Sequence, residues 1–483
     1  MLRKLFLMFT VLLIALMLLV LGGCGADNSL SNGDPAVLVS TEFQRSFSSL
    51  DEVKQALLEG GADKTTVSNT LGGYDTIAYA DKKGAGGILP TIDIIALIGT
   101  VWNAAGFVPY LHTAFVDLHK IVYKQTKEGP ELTGLLMMPR YSLSHYRGIL
   151  LFTHPTETLR AYSPSVTKPF IDGTFTKVFG YLFGMLGYVV VIPDYPGMGD
   201  NRDTHPYCLT TLGDTSAAMI KAVKSKEKFG LSKYKDVYVI GFSEGGYAAL
   251  ASAYYMRNYP ADYKVKKVAA LSGPYDLSGT MKNLMITADT SYKAPYFLPY
   301  VINGYRAAYP DIKYLDFSTS VVAKPVIVNR AFNVRLQEML YGDYSGSDIS
   351  QLIYTVEPDS KDNKYYGPIS IATSDFQKHL KDEPESALNK ALAANTLARN
   401  DWYPDPTVDF LFAHYQDDDC VPYGNTAAME LVWGGYAKKT GMIHFKKLTD
   451  IRPFTAELLG STHAASIVHE YIMGMKFMLG MPI

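Results

Sequence analysis

The segment that most restricts how this 483-residue chain can fold runs from Val237 to Gly246, Val-Tyr-Val-Ile-Gly-Phe-Ser-Glu-Gly-Gly. Its first residues are β-branched or aromatic and favour a strand. The Ala-rich stretch that follows Tyr247 favours a helix. Only a tight turn separates the two, so Ser243 is expected in a strained backbone conformation, with Gly241 and Gly245 keeping side chains out of a crowded corner. A strand followed at once by a helix is one unit of an alternation that, repeated along a chain, makes a mostly parallel sheet covered on both faces.

The rest of the chain repeats that alternation. Val116 to Thr126 alternates apolar and polar residues, Leu132 to Met138 is apolar, and Gly148 to Thr153 reads as a short buried strand. A helix ending near Leu186, a strand at Tyr188 to Pro193, a helix through Thr215 to Lys226 and a strand at Asp236 to Gly241 follow. Val268 to Leu271, Val408 to Ala413 and Met442 to Lys447 continue the series. Between Leu277 and Asp405 the alternation stops and a Tyr- and Pro-rich, mainly helical segment intervenes, which reads as a cap inserted into the sheet domain. Its aromatics include Tyr292, Tyr296, Phe297, Tyr300, Tyr305 and Tyr309, which either fill the cap's own core or touch substrate. The expected layout is a signal segment over 1–23, a tether and N-terminal extension over 24–115, core over 116–277, cap over 278–405 and core again over 406–483. Within the extension, a helical stretch is expected near Leu50 to Gly60. The apolar run from Ile88 to Leu111 holds Pro90, Asp93, Asn103 and Pro109, so it reads as a buried or cleft-lining helix rather than a membrane span.

A net charge of -2 and the lack of basic runs beyond the first residues argue against nucleic-acid partners. Arg3 and Lys4 precede an apolar run from Leu5 to Leu21 that ends in Gly22-Gly23-Cys24. This resembles the signal peptide of bacterial lipoproteins. The resemblance implies cleavage before Cys24, lipidation of that cysteine, and attachment to a bacterial membrane facing the periplasm or the cell exterior; the alternative is a plain transmembrane anchor. The polar stretch from Gly25 to Gly33 then serves as a tether. In an oxidising compartment the two other cysteines, Cys208 and Cys420, are candidates for a disulfide. Both are placed on loops at the carboxyl end of the sheet; the alternative is a pair of small buried thiols.

Taken together, strand, Gly-x-Ser-x-Gly turn and helix resemble the α/β-hydrolase superfamily from about Val116 onward. Gly187-Tyr-Val-Val-Val-Ile-Pro-Asp194-Tyr-Pro-Gly197-Met-Gly199 resembles the family's strand and glycine turn before the nucleophile strand. His154-Pro155-Thr156 stands where the family has His-Gly-x, with Pro155 replacing the usual glycine. Phe410-Leu-Phe-Ala-His414-Tyr-Gln-Asp417-Asp418-Asp419-Cys420-Val421-Pro422 resembles the family's His-Gly-x-x-Asp-x-x-Val-Pro segment, with Tyr415 in place of glycine. Gly460-Ser-Thr-His463 follows the last expected strand, which places His463 on a loop just before a terminal helix.

That resemblance implies Ser243 as nucleophile, His463 as general base and Asp418 as the acid orienting it, in the chain order this fold requires. A register shift would substitute Asp417 or Asp419, and Asp276, after the preceding strand, is a further alternative. The backbone N–H groups of Glu244 and Thr156 would form the oxyanion hole. No metal or organic cofactor is called for. The implied function is cleavage of small-molecule or lipid-like carboxylic esters, closest to the secretory lipase and esterase branch. A prolyl-oligopeptidase-like peptidase and a catalytically silent binding lipoprotein are the alternatives.

Overall fold

The computed structural model describes residues 36–45, 106–113, 115–140, 146–166, 175–288, 292–310, 312, 334–354, 368–450 and 460–483. The signal segment, Cys24, the helical stretch near residue 50 and nearly all of the 88–111 run lie outside the described residues. The described strands form one sheet: β1 (Val37–Arg45), β2 (Phe115–Lys124), β3 (Glu131–Arg140), β4 (Gly148–Thr153), β5 (Tyr188–Pro193), β6 (Asp236–Phe242), β7 (Lys264–Leu271), β8 (Asp409–Tyr415) and β9 (Ile443–Leu448). Their spatial order is β1-β2-β3-β5-β4-β6-β7-β8-β9. The first three strands pair antiparallel, as does β3 with β5, and every pair from β5 to β9 is parallel.

Periodicity in the central strands explains the layers. Val189 and Val191 of β5 pack in one core cluster, while Tyr188, Val190 and Ile192 pack in the other. Ile149 and Leu151 of β4 divide from Leu150 and Phe152 in the same way. Successive side chains point to opposite faces, so an unbroken apolar run needs cover on both. Helices α1 (Phe175–Met185), α2 (Thr211–Lys224) and α3 (Glu244–Met256) connect the central strands. Phe179, Leu182 and Phe183 of α1 cover one face; Leu212 and Val223 of α2 and Leu250 of α3 cover the other.

Between β7 and β8 the described residues form a π-helical turn at Leu277–Met281 and helices α4 (Lys282–Thr287), α5 (Phe297–Ala308), α6 (Gly346–Tyr354), α7 (Ser374–Lys381) and α8 (Ala387–Asn395). Then come α9 (Gly424–Thr440) and α10 (Thr462–Leu479). Two features differ from the expectations above. Val37–Arg45, assigned to the extension, is the outermost strand of the sheet, with Ile121 of β2 opposite Thr41. And the terminal helix begins one residue before His463, because Ser461 is extended and its hydroxyl accepts the Ala464 N–H at 3.0 Å, a helix N-cap.

Candidate active site

Parallel pairing brings the carboxyl ends of four strands level. Thr153 is opposite Gly241, Gly241 opposite Ala270, and Ala270 opposite Phe412. The loops after these residues therefore converge at one edge of the sheet, the usual place for a site in such folds. Ser243 occupies the turn between β6 and α3 at φ 61° and ψ -126°. A left-handed φ is costly for a side chain with Cβ. The turn is held all the same: Ser243 N–H donates to Leu271 O at 2.9 Å, and Thr153 Oγ1 donates to Gly245 O at 2.7 Å. A Cβ at Gly241 would run into the Gly245 carbonyl and the Thr153 hydroxyl, and one at Gly245 into the Thr153 and His154 carbonyls. Both glycines are thus required by close approach.

His463 reaches this serine from α10. Its Nε2 lies 2.8 Å from Ser243 Oγ and its Nδ1 2.6 Å from Asp418 Oδ2. An ionised carboxylate only accepts, so Nδ1 carries the proton and Nε2 is left to accept from the serine hydroxyl. The imidazole stacks on Phe242, with ring centroids 4.7 Å apart. Asp418 Oδ1 accepts the N–H groups of Cys420 at 2.9 Å and Val421 at 2.7 Å. Burial alone would push this carboxyl up. The His463 charge and hydrogen bonds from His414 and His463 outweigh it and hold Asp418 well below the usual carboxylate range. His414 Nε2 donates to Val421 O at 2.7 Å and stands 3.4 Å from Asp418.

These contacts separate the three neighbouring acids. Asp417 is exposed. Asp419 takes the backbone N–H groups of Thr462 and His463, each at 3.2 Å, and so fastens the start of α10 to the acid loop. Asp276 caps the π-helical turn, accepting from Gly279 N at 3.0 Å and Thr280 N at 2.7 Å. Only Asp418 faces His463 Nδ1.

Glu244 opens α3, and the first amides of a helix have no intrahelical acceptor. Its N–H is therefore available beside Ser243 Oγ. Thr156 lies on the loop after β4, its hydroxyl 3.3 Å from Tyr207 Oη. That loop is steadied by the His154 ring, stacked 4.1 Å from Tyr195, and by Tyr195 Oη donating to His154 O at 2.9 Å.

A model of the alpha/beta hydrolase family matches residues 173–449. The chain is an alpha/beta hydrolase. No curated protein matches the hydrolase in sequence. Among solved structures it is similar to the rice cell wall degrading esterase LipA from Xanthomonas oryzae, at 16% identity and a TM-score of 0.62 over 92% of this chain and 98% of that one. A Legionella pneumophila protein gives 21% identity and a TM-score of 0.61, over 79% of this chain and 94% of its own. Candida antarctica lipase A in its closed state gives 14% and 0.50, over 79% and 80%. At these identities the likeness is one of fold.

In the hydrolase site, His205, Glu157 and the side chain of Glu244 carried no sequence signal. The Glu244 side chain is fully buried and pairs with His205, Nε2 to Oε1 at 2.6 Å. His205 Nδ1 faces the Pro196 carbonyl at 2.9 Å and must donate to it. Burial lowers the affinity of this ring for a second proton, but Glu244 outweighs it and the net effect is upward. Half-buried Glu157, next to Thr156, has its carboxyl pushed up to about 8 by burial, with Lys177 opposing and Glu244 adding to the rise. Tyr292 and Tyr300 of the cap donate to the carbonyls of Cys420 and Thr158, at 3.1 and 3.3 Å, so these cap aromatics dock onto the site loops.

The cysteines follow the second of the two readings left open above. Cys208 and Cys420 are separate, buried thiols. Cys208 lines the cavity at Ser243, whereas Cys420 Sγ lies against Asp419 Oδ1 at 3.5 Å. The two loops meet at the site with these side chains turned to different neighbours.

Proposed function

We propose that this hydrolase cleaves carboxylic esters through an acyl-enzyme formed on Ser243. The observation that carries the reading is the continuous relay from Ser243 Oγ through His463 to Asp418, at 2.8 and 2.6 Å, built on a strained turn at the start of a helix. A neutral serine hydroxyl is a weak nucleophile. His463 Nε2 takes its proton as Oγ attacks the ester carbonyl, and Asp418 stabilises the imidazolium that forms. The oxyanion is met by the Glu244 amide and, on the opposite loop, that of Thr156. Collapse expels the alcohol, protonated by His463. Water, deprotonated by the same ring, then releases the acid and restores Ser243. The esterase and the lipase among the fold neighbours support esters over amides. The molecule is further read as exported and held to a bacterial membrane through lipid on Cys24.

The test is labelling with a fluorophosphonate probe alongside hydrolysis of p-nitrophenyl acetate. Wild-type protein labels on Ser243 and turns over the ester, and Ser243→Ala does neither. A folded wild type that fails to label points to a binding protein. Peptide anilides cleaved faster than esters point to a peptidase.

A further inference from the structure

Ser243 lines a cavity whose other walls come mainly from the segment after β7 and from the cap. Pro274, Leu277 and Met281 after β7 line it, with Phe297 and Val301 of α5 and Leu392 of α8 among the residues closing it. The one charged residue in its wall, Lys282, has its ammonium group on Asn389 Oδ1 at 2.9 Å. Tyr207, the one phenol there, has its hydroxyl 3.3 Å from Thr156 Oγ1. The wall is therefore almost wholly apolar and offers little to replace the water around a sugar, an amine or a carboxylate. Leaving such groups unpaired in an apolar site is strongly unfavourable, whereas each buried methylene gains about 0.8 kcal/mol.

The geometry also separates the two halves of an ester. His463 must hand its proton to the leaving oxygen, so the alcohol half has to lie against His463 Nε2. His463 does not line this cavity, whereas Ser243, which bonds to the acyl carbon, does. The cavity is about 50 Å³. At about 30 Å³ for each methylene-sized group, a long acyl tail would need roughly several hundred Å³, so the cavity admits only short acyl groups.

We infer that this cavity is an acyl pocket that selects short, straight aliphatic acyl groups, making the protein a short-chain esterase rather than a long-chain lipase. The inference rests on the ester-hydrolase reading above.

The experiment measures kcat/KM for p-nitrophenyl esters from acetate to palmitate on the full exported protein and two variants. Wild type peaks between butyrate and hexanoate and falls at least tenfold by laurate. Val301→Trp, at a partly exposed position on α5, fills the pocket and lowers the hexanoate-to-acetate ratio at least tenfold. Met285→Ala, which enlarges it, moves the peak toward octanoate and tests the pocket even if Val301→Trp does not fold. Ethyl hexanoate should outpace hexyl acetate. A profile flat from acetate to palmitate, a peak at palmitate, hexyl acetate as the better substrate, or ratios unchanged in the folded variants overturns the pocket while esterolysis stands. Loss of fluorophosphonate labelling and of all ester turnover in wild type overturns the hydrolase reading itself.

Discussion

At the scale of single residues, the site turns on which groups touch His463. Ser243→Ala or His463→Ala should each cut kcat by several orders of magnitude, because the relay acts as a unit. Asp418→Asn should be nearly as damaging, since an amide in place of the carboxylate no longer fixes the Nδ1–H tautomer. Asp417 is exposed and should tolerate Asn within a factor of about two; steady-state kinetics on the four variants would expose any error of register. Glu157 offers a test of a different kind. An unfolded chain ionises this carboxyl near pH 4.3, whereas the folded protein keeps its proton until about pH 8. Between those values the unfolded state binds fewer protons, so stability falls as pH rises and levels off above about 8. Glu157→Gln removes that penalty. Its melting temperature should match wild type near pH 4 and exceed it by a few degrees at pH 8.5, corresponding to about 1 kcal/mol for a half-buried group. An advantage that shrinks as pH rises would contradict the assignment.

Among elements, the junction between the acid loop and α10 decides whether the base is in place. Asp419 holds two backbone N–H groups of that helix start, and the hydroxyl of Thr462 returns a bond to Asp417 O at 2.6 Å. Asp419→Ala should leave the sheet intact by circular dichroism, lower kcat about tenfold, and leave KM nearly unchanged. A wild-type kcat would show that α10 seats without this tie. Much of the frame was legible beforehand: Gly148–Thr153 and Tyr188–Pro193 fall where their apolar runs begin and end, because a strand buried on both faces tolerates few polar residues. β1 was not legible. Its register is set by pairing with β2, some eighty residues on, and Val-Leu-Val-Ser-Thr-Glu-Phe-Gln-Arg has only a short apolar start. The His205–Glu244 pair was hidden for a related reason: its partners are 39 residues apart and belong to no shared motif. Asp419 had a faint signal as one of three consecutive acids, but its role as a helix tie depends on where α10 begins.

For the whole molecule, the order of parts along the chain matters as much as their final positions. The proposed lipid anchor is testable at this scale: intact-mass analysis of protein from membranes should find Cys24 first and acylated, and Cys24→Ser should accumulate with residues 1–23 attached. An unmodified amino terminus at another residue would remove the anchor from the account. A further consequence concerns time. Ser243 and His463 are 220 residues apart in sequence, with the cap between them, and α10 packs across β6, β7 and β8. A growing chain thus displays a complete nucleophile turn long before it owns a base. By the proposed mechanism, it cannot attack an ester until the segment beyond residue 460 has docked on a sheet that is already formed. Ester turnover then serves as a clock for the final folding step, and a chain stalled anywhere earlier stays chemically silent.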